Sequence, residues 1–465
     1  MRGYSSGAGF AELRLDGVAS WRVALLLCSK WDALLALMVK DTRVATETVK
    51  LGFQDSGTAD SNESQIESMA NDVASVSLRR DDFDRNVWCL AGIPADISDI
   101  GQAVGAIDEA VREGRRLSFV TPNVNWLTRA ASDKNVRQEL INADLSLIDG
   151  APLAALARGL DVPIRARVAG SDLFEALRRR PAYGGRRLKV FFFGGRDGAA
   201  KAAAKTVNAE KGGVEAVGWL NPGFGDVEAM SRPEVITKIN DAAPDFVLVA
   251  LGASKGQRWI EHNQLALTAP VLAHLGAVVD FTGGGIRRAP TIARALGMEW
   301  AWRIKEEPAL WRRYARDAIA MAAICWSRVI PQMRLPSRPQ ADEKTRAELV
   351  SAQNTVAVRL SGAFHQSNLR PLRGVFREAA AETGDVILDF TNVSAFDRAF
   401  LGLVLMLEKH VAMRGAKLYV EGVNAQQMKL LKANDMRYPD YAAAMGNLAT
   451  ADKQASAPSE MRERN

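Results

Sequence analysis

The chain has 465 residues, 48% of them hydrophobic and 25% charged, a balance that excludes fibrous and unstructured classes and leaves room for about three domains. Sixty Lys and Arg against 54 Asp and Glu leave a net charge of only +6, too mild to argue for nucleic acid as a partner. Three scattered cysteines (Cys28, Cys89, Cys325) and four histidines (His262, His274, His365, His410) offer neither a disulfide framework nor a metal-ligand pair, so a reducing compartment and no histidine-rich metal centre are expected.

The first apolar stretch, residues 23–39, carries Lys30 and Asp32 near its centre, which argues against a membrane span, and no secretory cleavage pattern follows it. Residues 53–84 hold eight acidic and two basic residues among Ser, Asn and Gly and read as a linker unable to bury enough apolar surface to order itself. Residues 1–85 are therefore expected to be a poorly ordered leader.

Beyond it, apolar β-rich runs at 117–121, 144–149, 188–195, 245–252 and 271–281 predict buried strands, and helical periodicity at 171–180, 198–212 and 232–242 fills the gaps between them. Such alternation predicts an α/β fold over 86–300, Rossmann-like, with a mostly parallel sheet and helices on both faces. Ligands of such sheets bind outside the carboxyl ends of the strands.

From Arg287 to Arg338 there are eleven Lys and Arg against four Asp and Glu, and residues 301–335 read as a basic, aromatic appendage suited to a membrane headgroup zone or to packing on the core. Pro331, Pro336 and Pro339 mark a linker, assigned to 336–350. Strands at 355–364, 385–397 and 416–423 with helices over 399–413 and 425–433 predict a small second α/β unit, 351–448, before a disordered tail, 449–465.

Chemistry-bearing residues gather at the predicted strand ends. Gly194 and Gly195 open a helix and could bring backbone close to a phosphate, or simply form a tight turn. Thr121 and Asn123 in "TPNVNW" could bond a ligand or cap a helix. Asp149 closes "DLSLID" and is either a general base or half of an Asp-Gly turn. Asp280, placed at the end of the 271–281 strand, precedes three glycines and the Arg287–Arg288 pair, a set suited to a charged, hydroxyl-bearing ligand.

Ten motifs in order, among them "TPNVNWL", "ADLSLIDG", "RVAGSDL", "FFFGGRDG", "DFVLVALGASKGQRWI", "GAVVDFTGG", "RRAP", "GMEWAWR" and "EPALWRRY", resemble the WecG/TagA/CpsF glycosyltransferase family, also called glycosyltransferase family 26. The resemblance implies a bacterial envelope-polysaccharide enzyme. It would move a sugar, of N-acetylmannosamine or related type, from a UDP donor to a polyprenyl-diphosphate-linked sugar at the cytoplasmic face of the membrane, with inversion and without metal. Residue by residue it implies Asp149 as catalytic base with Thr121 beside it. Asn123, Arg167 and Asp280 fall in the pocket, and Arg303 and Arg313 on an appendage that reaches over it. Gly194, Gly195, Gly252, Lys255 and Arg288 complete the expected substrate-binding set.

Two positions depart from the family pattern: Gly256 stands where a Gln is usual, and Leu310 where an Arg is usual. The C-terminal unit resembles a STAS domain, the fold of anti-sigma-factor antagonists, with Arg398 where a regulatory Ser or Thr would follow Asp397. It is expected to dock a protein partner or regulate. The departures keep a second reading open, a nucleotide-binding regulatory protein whose transferase chemistry has lapsed. An NAD-dependent oxidoreductase is excluded, since no GxGxxG with a downstream acidic residue is present.

Overall fold

The computed structural model describes residues 81–182, 185–252, 255–295, 297–333, 345–352, 355–442 and 444. The expected leader up to residue 80, the linker prolines Pro336 and Pro339 and the tail lie outside the described residues. Ordered structure begins earlier than Arg85: the turn Asp82–Asp84 is capped by Asp81, and Asp82, Phe83 and Arg85 are buried.

A hairpin that periodicity did not predict comes first, β1 (Val87–Leu90) and β2 (Ile93–Asp96). Its two-residue turn, Ala91 (φ 51°) and Gly92 (φ 99°), has the paired positive φ values that suit a tight hairpin. Then follow α1 (Ile100–Arg112), β3 (Leu117–Val120), α2 (Val124–Ala130), α3 (Lys134–Asn142), β4 (Leu145–Ser146), α4 (Ala151–Gly159), α5 (Gly170–Arg179), β5 (Leu188–Gly194) and α6 (Ala199–Ala209). Next are β6 (Val214–Leu220), α7 (Pro233–Asp241), β7 (Phe246–Ala250), α8 (Gly256–Asn263), β8 (Val271–His274), α9 (Gly276–Thr282), α10 (Thr291–Ala295), α11 (Glu299–Glu306) and α12 (Trp311–Ile324). The last of these runs on through a π-helical turn, Cys325–Val329, into α13 (Ile330–Met333), so Pro331 lies in a helix instead of opening a linker.

Six strands form one parallel sheet in the order β4-β3-β8-β7-β5-β6. Alternation through "VFFF" divides the core: Phe192 packs with α1, α5, α6 and α9, while Phe191 and Phe193 pack on the other face, Phe193 stacked on buried Trp259 of α8 at 4.2 Å. One predicted strand is corrected. The apolar run 271–281 is a strand only to His274 and then turns at Leu275 into α9. A run apolar throughout fits a buried strand or a buried helix equally.

The C-terminal unit comprises β9 (Arg346–Ala352), β10 (Thr355–Phe364), α14 (Arg370–Ala381), β11 (Asp385–Phe396), α15 (Arg398–Met413), β12 (Leu418–Glu421) and α16 (Ala425–Ala433). Its sheet runs β12-β11-β10-β9, with only β9 antiparallel to its neighbour. Helix α15, started by the Asp397 cap, lies against the hairpin so closely that a Cβ on Gly402 would sit 2.2 Å from the Val87 carbonyl oxygen. The two units therefore share one hydrophobic core.

A buried charge network crosses this junction. Lys409 of α15, with no exposed surface, reaches Asp82 (2.9 Å) and Asp144 (3.1 Å), while Arg85 binds Asp82 (2.6 Å) and Asp96 (2.7 Å). Asp144 also accepts from the Ser118 backbone N–H (2.8 Å) and hydroxyl (3.1 Å), and Asp96 from the Ser146 N–H (2.7 Å). These bonds fix the entries of β3 and β4.

Candidate active site

The exits of the same two strands carry the predicted base. Asp149 follows β4 and its backbone N–H donates to the Pro122 carbonyl (2.8 Å), which ties the turn to the "TPN" segment after β3. Gly150 takes φ 86°, a conformation that favours glycine, and launches α4. Asn123 is the cap of α2: its side-chain oxygen accepts from the N–H groups of Asn125 (3.1 Å) and Trp126 (3.4 Å). Thr121 lies against the start of α5, where a Cβ on Gly170 would stand 3.3 Å from its hydroxyl.

An ion web surrounds this corner. Arg167 lies between Glu299 (3.6 Å) and Asp172 (3.7 Å), and Asp172 also binds Arg294 (3.1 Å) and Arg288, which donates to Ser171 as well (2.9 Å). Burial pushes the Asp149 carboxyl up to about 7, assisted by the negative charge of Glu299 and opposed by Arg167. A cavity of about 380 Å³ opens beside the web, lined by Asp172, Phe174, Arg178, Phe281, Arg288 and Arg294 among others.

A second cluster stands at the end of β5. Gly194 and Gly195 both take φ 92°, and a Cβ on Gly194 would lie 2.9 Å from the Ala250 carbonyl oxygen, so only glycine fits this close approach. Asp280 projects from α9 and not from a strand end, 3.9 Å from Arg196. Burial raises its pKa against the pull of Arg196, and one carboxylate oxygen is buried without a hydrogen-bond partner. Arg196 and Arg303 share Glu307 (2.9 and 3.7 Å), and the Arg303 guanidinium stands 5.3 Å from the centre of the Phe281 ring.

Helix α11 joins the two clusters, since it holds Glu299 at one and Arg303 at the other. It is placed by Gly297 (φ 69°), whose Cβ would come 2.6 Å from Ala151 Cβ at the start of α4. The remaining predicted residues make contacts of their own. Arg313 stacks on Tyr314 (5.0 Å), and the Lys255 ammonium bonds the Gly225 carbonyl (2.5 Å). Gly252 is exposed, its carbonyl accepting from the N–H groups of Lys255 and Gly256. Among the described residues no group of three or more His, Cys, Asp or Glu could hold a metal ion.

Residues 88–334, more than half of the chain, match the model of the glycosyl transferase WecG/TagA/CpsF family. The chain belongs to that family. Residues 348–437 match the Mlab STAS domain model. Similar curated proteins include the N-acetylglucosaminyldiphosphoundecaprenol N-acetyl-beta-D-mannosaminyltransferases of Bacillus spizizenii and Bacillus subtilis. The first is 28% identical over 195 residues, 42% of this chain and 73% of that protein; the second is 25% identical over 214 residues, 46% and 77%. A solved structure of the anti-sigma factor antagonist SpoIIAA in its unphosphorylated form is 18% identical, covers 23% of this chain and 97% of its own, and has a TM-score of 0.20.

Within this WecG/TagA/CpsF member one of the two departures, Gly256, has a local explanation, and nothing in the structure explains the other, Leu310. A Cβ at Gly256 would lie 2.0 Å from His274 Cδ2, so the ring of His274 occupies the space a side chain there would need. Leu310 ends the short turn Pro308–Leu310 between α11 and α12, with Arg312 stacked on the Trp311 ring at 5.8 Å. Asp172, Arg196, Glu299, Glu307 and His274 were not among the predicted site residues. Four of them stand inside the motifs "RVAGSDL", "FFFGGRDG", "GMEWAWR" and "EPALWRRY", so the motifs held a signal that strand-end reasoning passed over.

Proposed function

We propose that this chain is an inverting hexosyltransferase that moves a sugar from a UDP-sugar to a polyprenyl-diphosphate-linked sugar in cell-envelope or exopolysaccharide synthesis. The observation that carries the reading is Asp149, a carboxyl raised to about 7 at a strand exit beside Arg167, the protonation range of a general base. In the reaction the acceptor hydroxyl gives its proton to Asp149 while its oxygen bonds the anomeric carbon. The bond from that carbon to the UDP oxygen breaks, and the electron pair leaves with UDP. Thr121 is assigned a place beside the base. Arg167, Arg288, Arg303 and Arg313 are the cations assigned to the departing diphosphate, with Arg196 added to them. Asp280, Asn123 and the Gly194–Gly195 backbone hold the nucleotide sugar, with Gly252 and Lys255 at the margin. The acceptor class is supported by the two Bacillus relatives, whose names specify a diphosphoundecaprenol-linked substrate.

The enzyme would work as a peripheral protein at the inner face of the cell membrane. No helix among the described residues is long and apolar enough to cross a membrane. Support comes from Trp300, Trp311, Ile319 and Trp326, all exposed on α11, α12 and the turn that follows, beside Arg312 and Arg316. A protein partner of the STAS-like unit would meet surfaces other than α15, whose face is covered by the hairpin and α3.

The test is turnover of a UDP-sugar panel with a short polyprenyl-diphosphate-sugar acceptor, with EDTA present. Wild type is expected to transfer, and Asp149→Asn to lose about 10²- to 10⁴-fold in kcat while still binding UDP. UDP binding with no turnover on any donor would replace this reading with that of a lapsed, regulatory protein.

A further inference from the structure

Strand order places one unassigned titratable side chain between the two clusters. In the order β4-β3-β8-β7-β5-β6, β8 lies two strands from β4, which leads to Asp149, and two from β5, which ends in Gly194. At roughly 4.8 Å per strand each gap is about 10 Å. A ligand that spans from the base to the glycine loop must cross the end of β8, and the residue there is His274.

The surroundings of His274 are built to hold its ring. Gly256 leaves the space that Cδ2 fills, and a Cβ on Gly276 would come 3.4 Å from Nε2. The indole of Trp126 meets the ring edge-on at 6.3 Å between centroids. Nε2 is 2.6 Å from the Leu251 carbonyl oxygen. A carbonyl can only accept, so Nε2 carries the proton and Nδ1 presents a lone pair in the neutral imidazole. Burial lowers the His274 pKa from its ordinary value, which keeps the ring neutral near pH 7. Among the described residues none is hydrogen-bonded to Nδ1, and the residue is partly exposed.

We propose that Nδ1 of His274 accepts a hydrogen bond from a hydroxyl or amide N–H of the transferred sugar, and so helps to select which sugar is transferred. The assignment rests on the transferase reading above, because it is the sugar that lies between base and leaving diphosphate. It also gives Gly256 a role: glycine there is what allows the ring to stand at the end of β8.

The experiment measures KM and kcat over the UDP-sugar panel, with affinities for each UDP-sugar and for UDP alone, in wild type, His274→Ala, His274→Asn and Gly256→Ala. For the preferred donor, His274→Ala should raise KM about tenfold, the loss of one hydrogen bond. The kcat should stay within about twofold and UDP affinity should not change. Selectivity across the panel should flatten. His274→Asn, which keeps an acceptor, should recover part of the selectivity. Gly256→Ala, which displaces the ring without touching its chemistry, should behave like His274→Ala. An unchanged donor profile in His274→Ala, or an equal loss of affinity for UDP alone, would overturn the assignment. If wild type turns over no donor, the transferase reading fails, and the ratio of UDP-sugar to UDP affinity in the same variants still decides whether His274 touches the sugar.

Discussion

Two charge clusters are built on the same short pair of strands, one at their entry and one at their exit, and they are opposites. At the entry Asp82, Asp96 and Asp144 meet Arg85 and Lys409 with no water-facing surface to speak of, and each carboxylate is bonded to a cation, a backbone N–H or both. At the exit the Arg167 guanidinium is ion-paired with Glu299 and Asp172 and acts on Asp149 only as a nearby charge. Burial raises the pKa of both Asp82 and Asp149. At Asp82 the charge of Lys409, the bond to His410 and the charge of Arg85 overwhelm it and hold the carboxyl well below its usual range; at Asp149 the carboxyl rises to about 7. Burial alone therefore does not mark a reactive carboxyl. Incomplete compensation by cations does.

Removing the cation that the C-terminal unit contributes should break this contrast most severely. Lys409→Met leaves Asp144 buried without its cation and Asp82 with Arg85 and His410, and losing one partner of a buried pair costs about 3–5 kcal/mol. Urea unfolding should show that loss, and Lys409→Met/Asp144→Asn should recover much of it by removing one stranded charge. Acid should act in the same direction. Since the Asp82 pKa is depressed in the fold, its stabilisation is present above the ordinary carboxylate range near pH ~4 and is lost as the pH falls below it. The acid limb of wild-type stability should therefore be steeper than that of Asp82→Asn.

The exit cluster should respond in pH profile more than in stability. Asp149 must be ionised to take a proton, so kcat/KM should climb about tenfold per pH unit below its pKa and level off above about 7. Glu299→Gln removes a negative neighbour and should move that limb to lower pH. Arg167→Gln removes the opposing positive charge and should move it to higher pH. Limbs that stay in place in both variants would mean that a group other than Asp149 controls the rate.

Most of the strand framework was legible because parallel strands buried on both faces are continuous apolar runs, and the alternating strand 355–364 and the helix 425–433 match their elements to the residue. The edge strands β6 and β9 were not predicted, and β9 begins inside the expected linker 336–350. The hairpin at Val87–Asp96 was not predicted either, since its two short strands run on as one apolar stretch through the Ala91–Gly92 turn with no change of polarity. The 271–281 run misled for the same reason: its strand-to-helix break rests on Gly276 and not on any change of polarity. The candidate base could be picked out from "DLSLID" because an acidic residue that closes an apolar strand is conspicuous. Glu299 and Glu307 could not, because their role comes from α11 folding back across the sheet edge. Nor could Lys409, an ordinary-looking helix lysine until its carboxylate partners, 327 and 265 residues away, are brought to it.

The smallest effects belong to the aromatic and basic face of the appendage, and they separate two contributions that composition alone cannot. Trp311 and Trp326 are 55% and 72% exposed, and transfer of such a ring to a bilayer interface is favourable in proportion to the apolar area it hides. Arg312 and Arg316, exposed on the same helix, would be drawn to anionic headgroups at about 1 kcal/mol each. Trp326→Ser should weaken co-sedimentation with vesicles of anionic lipid about fivefold, by the same factor at low and high salt. Arg312→Gln should weaken it by a similar factor at low salt only, because screening removes the attraction as the Debye length shrinks to a few ångströms. If both variants lose binding equally at every salt concentration, the arginine acts by shaping the helix and not by its charge, and the headgroup contact falls to the tryptophans alone.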